Sequence, residues 1–384
     1  MEIAVIKKNY DPCGGGAERY AAQICSGLSK RGHRILIFSE SFRNTGDTDA
    51  CLIKVPRTCL RGFSRTSNFH SAVRKTLKPY KFDISYSLSR TFPSDVFRVS
   101  EQIHTEWIKI AYPNWQKYNP RHWEILKLEK KIYSPENTGA VVTNSMLTKK
   151  QIVANFAYPE EKIHFIGNGV DRAKFFPPAG KNEICKIRGR LDIPEDKFVL
   201  LFIAANFKIK GFRFILETLS RIPCETRRKL LIVAVGGNLD NKGAEKLEEH
   251  GLEKIVRFEG RKNNMRDYYV GSDMLFYPSL YEPFANVCLE ACACGLPILT
   301  TATNGSSEVI EHNHGGFIVP SPADTELMAR HIVRFVNMSS TDRKSFSENA
   351  IRGSECYNWG EHIVQLEKLF GTLIKNKMKS ELSP

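Results

Sequence analysis

A chain of 384 residues predicts two or three domains, each with its own core, at about 100–200 residues per domain. Its 42% hydrophobic and 26% charged residues are those of an ordinary globular protein and exclude disorder, collagen or a coiled-coil rod as the main description. The net charge of +14 is uneven: residues 1–170 hold 26 Lys and Arg against 15 Asp and Glu, while the remainder holds 30 against 27.

The predicted elements begin with a short apolar run at 3–6, suited to a buried parallel strand. It leads into Gly14-Gly15-Gly16, after which Ala21, Ile24, Cys25 and Leu28 fall on one helix face. Gly32 stops that helix, and residues 35–38 read as the next strand, completing a βαβ unit. Neither an early signal peptide nor an apolar run near the ~20 residues of a membrane span is predicted. Between Asp49 and Asp83 stand eight bases and no acid, which suits a polyanionic partner or a solubilising face.

Residues 103–133 have a different texture. Trp107, Trp115 and Trp123 recur every eight residues, with Lys109, Lys117, Arg121, Lys127, Lys130 and Lys131 among them. Trp with interleaved bases suits an anionic bilayer surface; packing beneath the sheet is the alternative. His104 opens this stretch, and a lone histidine is more often structural than catalytic.

A boundary is predicted near Gly167-Asn168-Gly169, after the mostly apolar run 163–166. Beyond it, strands are expected at 199–204, 230–235, 256–258, 274–277 and 297–300. Helices are expected at 212–219, 245–250, 285–294 and 325–336. The fold class is therefore α/β, with two successive parallel sheets.

Three constellations can carry chemistry. In the segment 281–290, Pro283 is placed to open a helix, leaving the amides of Phe284, Ala285, Asn286 and Val287 for an anion such as a diphosphate. Glu282 and Glu290 flank them, and a carboxylate accepts bonds from paired hydroxyls of a sugar or ribose. Two ordinary surface acids beside a strand-to-helix turn are the alternative. Lys208-Ile209-Lys210-Gly211 follows the strand at 199–204, at the sheet edge where such folds bind ligands, and a lysine there can neutralise a departing phosphate. The Gly14–Gly16 turn allows close ligand approach but lacks GxGxxG spacing, so Glu40 beyond the second strand is weak support for a dinucleotide.

Metal sites are not expected. Asp47-Thr48-Asp49 spells DxD without a second acidic group, and His312 with His314 sits in a Gly-containing turn. The ten cysteines contain no CxxC and predict a reducing, cytoplasmic compartment without disulfides.

The segment EPFANVCLEACACGLP (residues 282–297) resembles the paired-glutamate signature of retaining GT-B-fold glycosyltransferases of family four. GGGAER at 14–19, GNGVD at 167–171 and NGSSEV at 304–309 agree with it in order and distance. His104-Thr-Glu-Trp107, the aromatic stretch and NFKIKG at 206–211 are similar to the lipopolysaccharide core glucosyltransferases of that family.

The resemblance implies two Rossmann-like domains facing a cleft, residues 1–168 with 358–384 and residues 169–357. The last helix, about 359–375, returns to the first. Glu282 would bond the donor sugar hydroxyls, and Glu290 the ribose. Lys210 and the amides at 284–287 would meet the phosphates. Gly15 and Gly16 would lie opposite, with His104 near the reacting carbon and Arg261 beside the base. Where family members carry an arginine, Ala205 and Ile209 stand here, and Lys208 is the substitute at hand.

The expected enzyme is a retaining hexosyltransferase without cofactor or metal, acting on a nucleotide sugar, UDP-glucose above all. Its acceptor would be a phosphorylated glycolipid or glycan such as the lipopolysaccharide core, and it would sit peripherally on the inner face of an anionic membrane. Transfer to another acceptor, a phosphorylase or epimerase on the same fold, or a basic nucleic-acid-binding protein are the alternatives. No nucleic-acid motif supports the last.

Overall fold

The computed structural model describes residues 1–46, 48–57, 65–112, 119–311 and 314–382. The chain forms two units, Met1–Gly169 with Trp359–Pro384, and Val170–Asn358.

The first unit is built on an all-parallel sheet in the order Cys51–Lys54, Arg34–Ser39, Glu2–Ile6, Ile84–Ser87, Ser94–Arg98, Thr138–Thr143, Ile163–Phe165. In the central strand Glu2–Ile6, alternation sends side chains to two covered faces. Ile3 and Val5 pack with Tyr20, Ile24 and Leu28 of the helix Gly16–Lys30, whereas Ala4 and Ile6 pack with Phe69 and Val73 of the helix Arg65–Leu77. A strand buried on both faces has no polar alternation to show.

The long final helix, Trp359–Leu382, completes this first core. Gly27 makes room for it, since a Cβ there would stand 2.6 Å from Ile363 Cδ1. His362 Nδ1 lies 2.6 Å from the Gly167 carbonyl, which only accepts, so that nitrogen carries the proton. Nε2 then accepts from the Tyr20 hydroxyl at 2.8 Å, and Tyr86 donates to Tyr20 at 2.8 Å. Burial lowers the His362 pKa to about 3, against the pull of the Gly167 bond, and keeps the ring neutral in this apolar setting.

The second unit carries a parallel sheet in the order Val256–Gly260, Leu230–Gly236, Phe198–Ala204, Met274–Tyr277, Ile298–Thr301, Gly316–Val319. The chain enters at Phe198–Ala204, runs outward through two strands, then returns to Met274–Tyr277 on the other side. The order thus reverses between these two neighbours, and their carboxyl ends form the switch point where open α/β sheets bind ligands. Loops 205–211 and 278–285 leave from that point. Its core is the apolar set anticipated from the sequence, led by Phe202, Phe212, Ile215, Phe276, Leu289 and Met328. No helix among the described residues is long and apolar enough to cross a membrane.

Candidate active site

At the switch point Lys210 Nζ meets Glu282 Oε2, so two residues 72 apart in sequence form one ion pair. The main chain before Lys210 is fixed by its neighbours. Phe207 is buried against Phe202 and stacks on Phe212 at 5.1 Å, and Asn206 accepts from the amides of Lys210 at 3.3 Å and Ile209 at 3.2 Å. Gly211 closes the loop at φ +85°, and a Cβ on it would run into the Pro278 carbonyl, so the two loops pack main chain to main chain. Burial lowers the Lys210 pKa to about 8, with Cys288 pulling the other way.

Glu282 is held through its own backbone. Its amide donates to the Thr303 carbonyl at 3.0 Å and its carbonyl accepts from Gly305 at 2.9 Å. Between them, buried Asn304 donates to Thr300 Oγ1 at 3.0 Å and accepts from the Ser306 amide at 3.1 Å. Ser306 Oγ in turn donates to the Ala285 carbonyl at 2.9 Å. Sequence reasoning assigned these residues no part, although NGSS at 304–307 was visible as a motif.

The helix after this loop is Asn286–Ala293, with Ala285 as its N-cap and no side-chain cap. Pro283 therefore does not open the helix, as the sequence had suggested; it precedes the first helical residue by three. Phe284 and Ala285 are buried and Ala285 is extended, so the first-turn amides begin at Asn286. Glu290, one turn in, accepts from the buried Tyr269 hydroxyl at 2.7 Å, a partner the sequence did not reveal. Burial and that carboxylate raise the Tyr269 pKa, which keeps the phenol a donor. The ammonium thus faces an anion, while one carboxylate beside it can receive hydroxyls and another is braced. Lys208 is exposed on the same loop, and Arg261 is exposed after Val256–Gly260. Ala205 is exposed and Ile209 half-buried.

The remaining predicted site residues belong to the first unit. Gly15 is the N-cap of Gly16–Lys30 without a side-chain cap, and both Gly15 and Gly16 are exposed. A cavity of about 430 Å³ opens beside them, lined by Lys8, Gly15, Glu18, Glu40, Arg43 and Arg57 among others. Glu18 Oε1 stands 3.9 Å from the ammonium of buried Lys7, whose pKa burial lowers while Glu18 and Glu101 raise it.

His104 begins the helix His104–Ala111 and is buried. Glu129, from the helix Pro120–Ile132, accepts from the amides of His104 at 2.6 Å and Thr105 at 3.1 Å, thereby capping the helix start. His104 Nε2 lies 3.0 Å from His122 Nδ1. Burial, then Arg90 and His122, lower the His104 pKa to about 4, and Glu101 opposes them only in part.

The tryptophan series divides. Trp123 is 63% exposed, with Arg121, Lys127, Lys130 and Lys131 exposed on the same helix. Trp107 is half-buried edge-on to Tyr112, and Lys109 is bound to Glu106 at 2.6 Å and Asn155 at 3.1 Å. Trp115 and Lys117 lie outside the described residues, as do Asp47 and His312. Among the described residues no three His, Cys, Asp or Glu side chains gather as a metal site.

Comparison with known proteins decides the family. The model for glycosyl transferases group 1 matches residues 183–353, and that for glycosyltransferase family 4 matches residues 14–174. The chain is a glycosyltransferase. Lipopolysaccharide glucosyltransferase WaaG of Escherichia coli (strain K12) is 24% identical to the transferase over 353 residues, 91% of this chain and 93% of that protein. The crystal structure of WaaG matches the transferase with a TM-score of 0.83 at 21% identity, over 96% of this chain and 99% of that one. Anabaena Alr3699/HepE in complex with UDP-glucose matches with a TM-score of 0.73 at 17% identity, over 97% and 100%. The transferase therefore has the GT-B fold. The ion pair Lys210–Glu282 and the braced Glu290 all fall within the group 1 region.

Proposed function

We propose that the transferase moves glucose from UDP-glucose to a phosphorylated lipopolysaccharide-core or related glycan acceptor, with retention at the anomeric carbon and without a metal. The observation that carries this reading is the Lys210–Glu282 pair at the switch point, beside the first turn of Asn286–Ala293. A diphosphate entering there takes the ammonium from Glu282 and adds the helix-start amides, and the freed carboxylate receives sugar hydroxyls. Glu290, braced by Tyr269, takes the ribose hydroxyls, Arg261 lies beside the base, and Lys208 supplies a second charge at the phosphates. The names of WaaG as a lipopolysaccharide glucosyltransferase and of HepE in complex with UDP-glucose support this choice of donor and acceptor.

In the reaction the bond from the anomeric carbon to the phosphate oxygen breaks and UDP takes the electron pair. Lys210 and the amides stabilise the charge that grows on the diphosphate. The acceptor hydroxyl adds from the face UDP leaves, and its proton passes to the departing phosphate oxygen. The products are the glucoside and UDP.

A panel of UDP-, GDP- and ADP-glucose tests the donor by thermal stabilisation, since binding to the native state raises the melting temperature. UDP-glucose is expected to stabilise most, equally with and without EDTA. The shift should fade above pH 8: free Lys210 loses its proton there, bound diphosphate restores it, and binding must then take up a proton at up to tenfold in affinity per pH unit. Equal stabilisation by all three sugars, or dependence on added Mg²⁺, contradicts the reading.

The basic first unit and the exposed Trp123 face support an anionic membrane as the acceptor's setting. Binding to phosphatidylglycerol vesicles is expected to fall with salt and with Trp123→Ala. Loss of Lys127 or Lys130 should weaken it roughly fivefold each, from about 1 kcal/mol per base. Salt-independent sedimentation, or none, removes the membrane from the account.

A further inference from the structure

We infer that Asn304 is a positioning residue that aims the Glu282 carboxylate; this rests on the reading of Glu282 as the group that receives the donor's sugar hydroxyls. Asn304 is fully buried in the second unit, in the turn after the strand Ile298–Thr301. That turn grips the loop 278–285 at three places. The Thr301 and Thr303 hydroxyls each lie 3.0 Å from the Ser279 carbonyl, the main chain of Thr303 and Gly305 takes the amide and carbonyl of Glu282, and Ser306 takes the Ala285 carbonyl. Asn304 stands directly opposite Glu282 in this pairing.

The Asn304 side chain locks the turn from inside. Thr300 Oγ1 donates its proton to the Tyr277 carbonyl at 2.8 Å, so toward Asn304 at 3.0 Å it can only accept. The Ser306 amide, at 3.1 Å, can only donate. The carboxamide therefore has one orientation: Nδ2 toward Thr300 and Cys288 Sγ, the latter at 3.4 Å, and Oδ1 toward Ser306. One buried amide thus ties the strand Ile298–Thr301, the helix Asn286–Ala293 and the turn together at the point facing Glu282. Aspartate supplies no proton for Thr300 and would bury a charge, and alanine makes none of these bonds.

Glu282 is held at its head by the Lys210 ammonium and at its backbone by this turn. When a diphosphate takes the ammonium, the turn still holds the residue in place. The need for Asn304 therefore shows in the complex with the nucleotide sugar. UDP alone has no sugar to meet the carboxylate and should bind without it.

The test measures binding of UDP and of UDP-glucose by calorimetry, with UDP release under turnover, in Asn304→Ala, Asn304→Ser, Glu282→Ala and the double variant Asn304→Ala/Glu282→Ala. Met328→Ala, a core truncation elsewhere in the same unit, is the control for lost stability. Asn304→Ala should bind UDP within about twofold of wild type. It should lose about tenfold in affinity for UDP-glucose and about tenfold in kcat, the low end of what a hydrogen bond to a charged group contributes. Asn304→Ser keeps an acceptor for the Ser306 amide and should lose less; it gives the reading if Asn304→Ala fails to fold. The double variant should match Glu282→Ala in its ratio of UDP-glucose to UDP affinity, because Asn304 acts through Glu282. Met328→Ala should melt lower with that ratio unchanged. An unchanged ratio and kcat in Asn304→Ala overturns the inference. So does an equal loss for UDP and UDP-glucose, an additive loss in the double variant, or an Asn304→Ser protein that no longer folds, each of which marks Asn304 as merely structural. If Glu282→Ala loses the ratio and Asn304→Ala keeps it, the inference alone falls; if neither loses it, the reading of Glu282 falls with it.

Discussion

Lys210→Ala is expected to lower kcat for UDP-glucose turnover roughly 100- to 1,000-fold, the usual loss when one preorganised group facing developing charge is removed. The fold should survive, because Phe207 and Asn206 hold the loop independently of the lysine head. KM should rise as well. Without the ammonium, the half-buried Glu282 carboxylate loses its counter-charge and repels the diphosphate it stands beside. Glu282→Ala should abolish transfer by the opposite route, leaving Lys210 for the phosphate but nothing for the sugar hydroxyls. Because the residues touch, the double variant should lose less than the sum of the single losses. Single-turnover release of UDP measures all three. A Lys210→Ala enzyme within threefold of wild type would end the assignment.

Gly211→Ala is the second large effect. At φ +85° the new methyl group is strained, and it also meets the Pro278 carbonyl at the end of the neighbouring strand. Relief requires the two loops to part, which moves Lys210 away from Glu282. Strain of about 1–3 kcal/mol should lower the melting temperature by roughly 2–12 °C for a unit of this size. It should also remove most stabilisation by UDP. Gly371→Ala is the control: a Cβ there meets nothing within 4 Å, and alanine in a helix interior is expected to be neutral or slightly stabilising. Equal melting temperatures for the two variants would contradict the account of the loop contact.

The strands at Phe198–Ala204 and Leu230–Gly236 were legible because a doubly covered strand is an unbroken apolar run. Ile84–Ser87, equally central in its sheet, was not. Its serines look like turn residues until their partners are known: Ser85 donates to Asp95 at 2.9 Å and Ser87 to the Ser89 carbonyl at 2.7 Å. The site divides in the same way. Lys210 and Glu282 could be placed from their position after strands. Tyr269 against Glu290, and His122 against His104, join residues on separate helices, and no local pattern announces such a pair. Pro283 misled for a related reason. Pro favours helix starts, but Ser306 holds the Ala285 carbonyl and delays the helix until Asn286.

The first unit takes its closing helix, Trp359–Leu382, from the far end of the chain. During synthesis its sheet emerges without that cover, with Tyr20, Ile24 and Tyr86 still open on one side. The roughly 200 residues that follow take about 10–40 s at the ribosome. The lobe translated first is therefore finished last, and a premature stop anywhere in the second half leaves an apolar wound on the first.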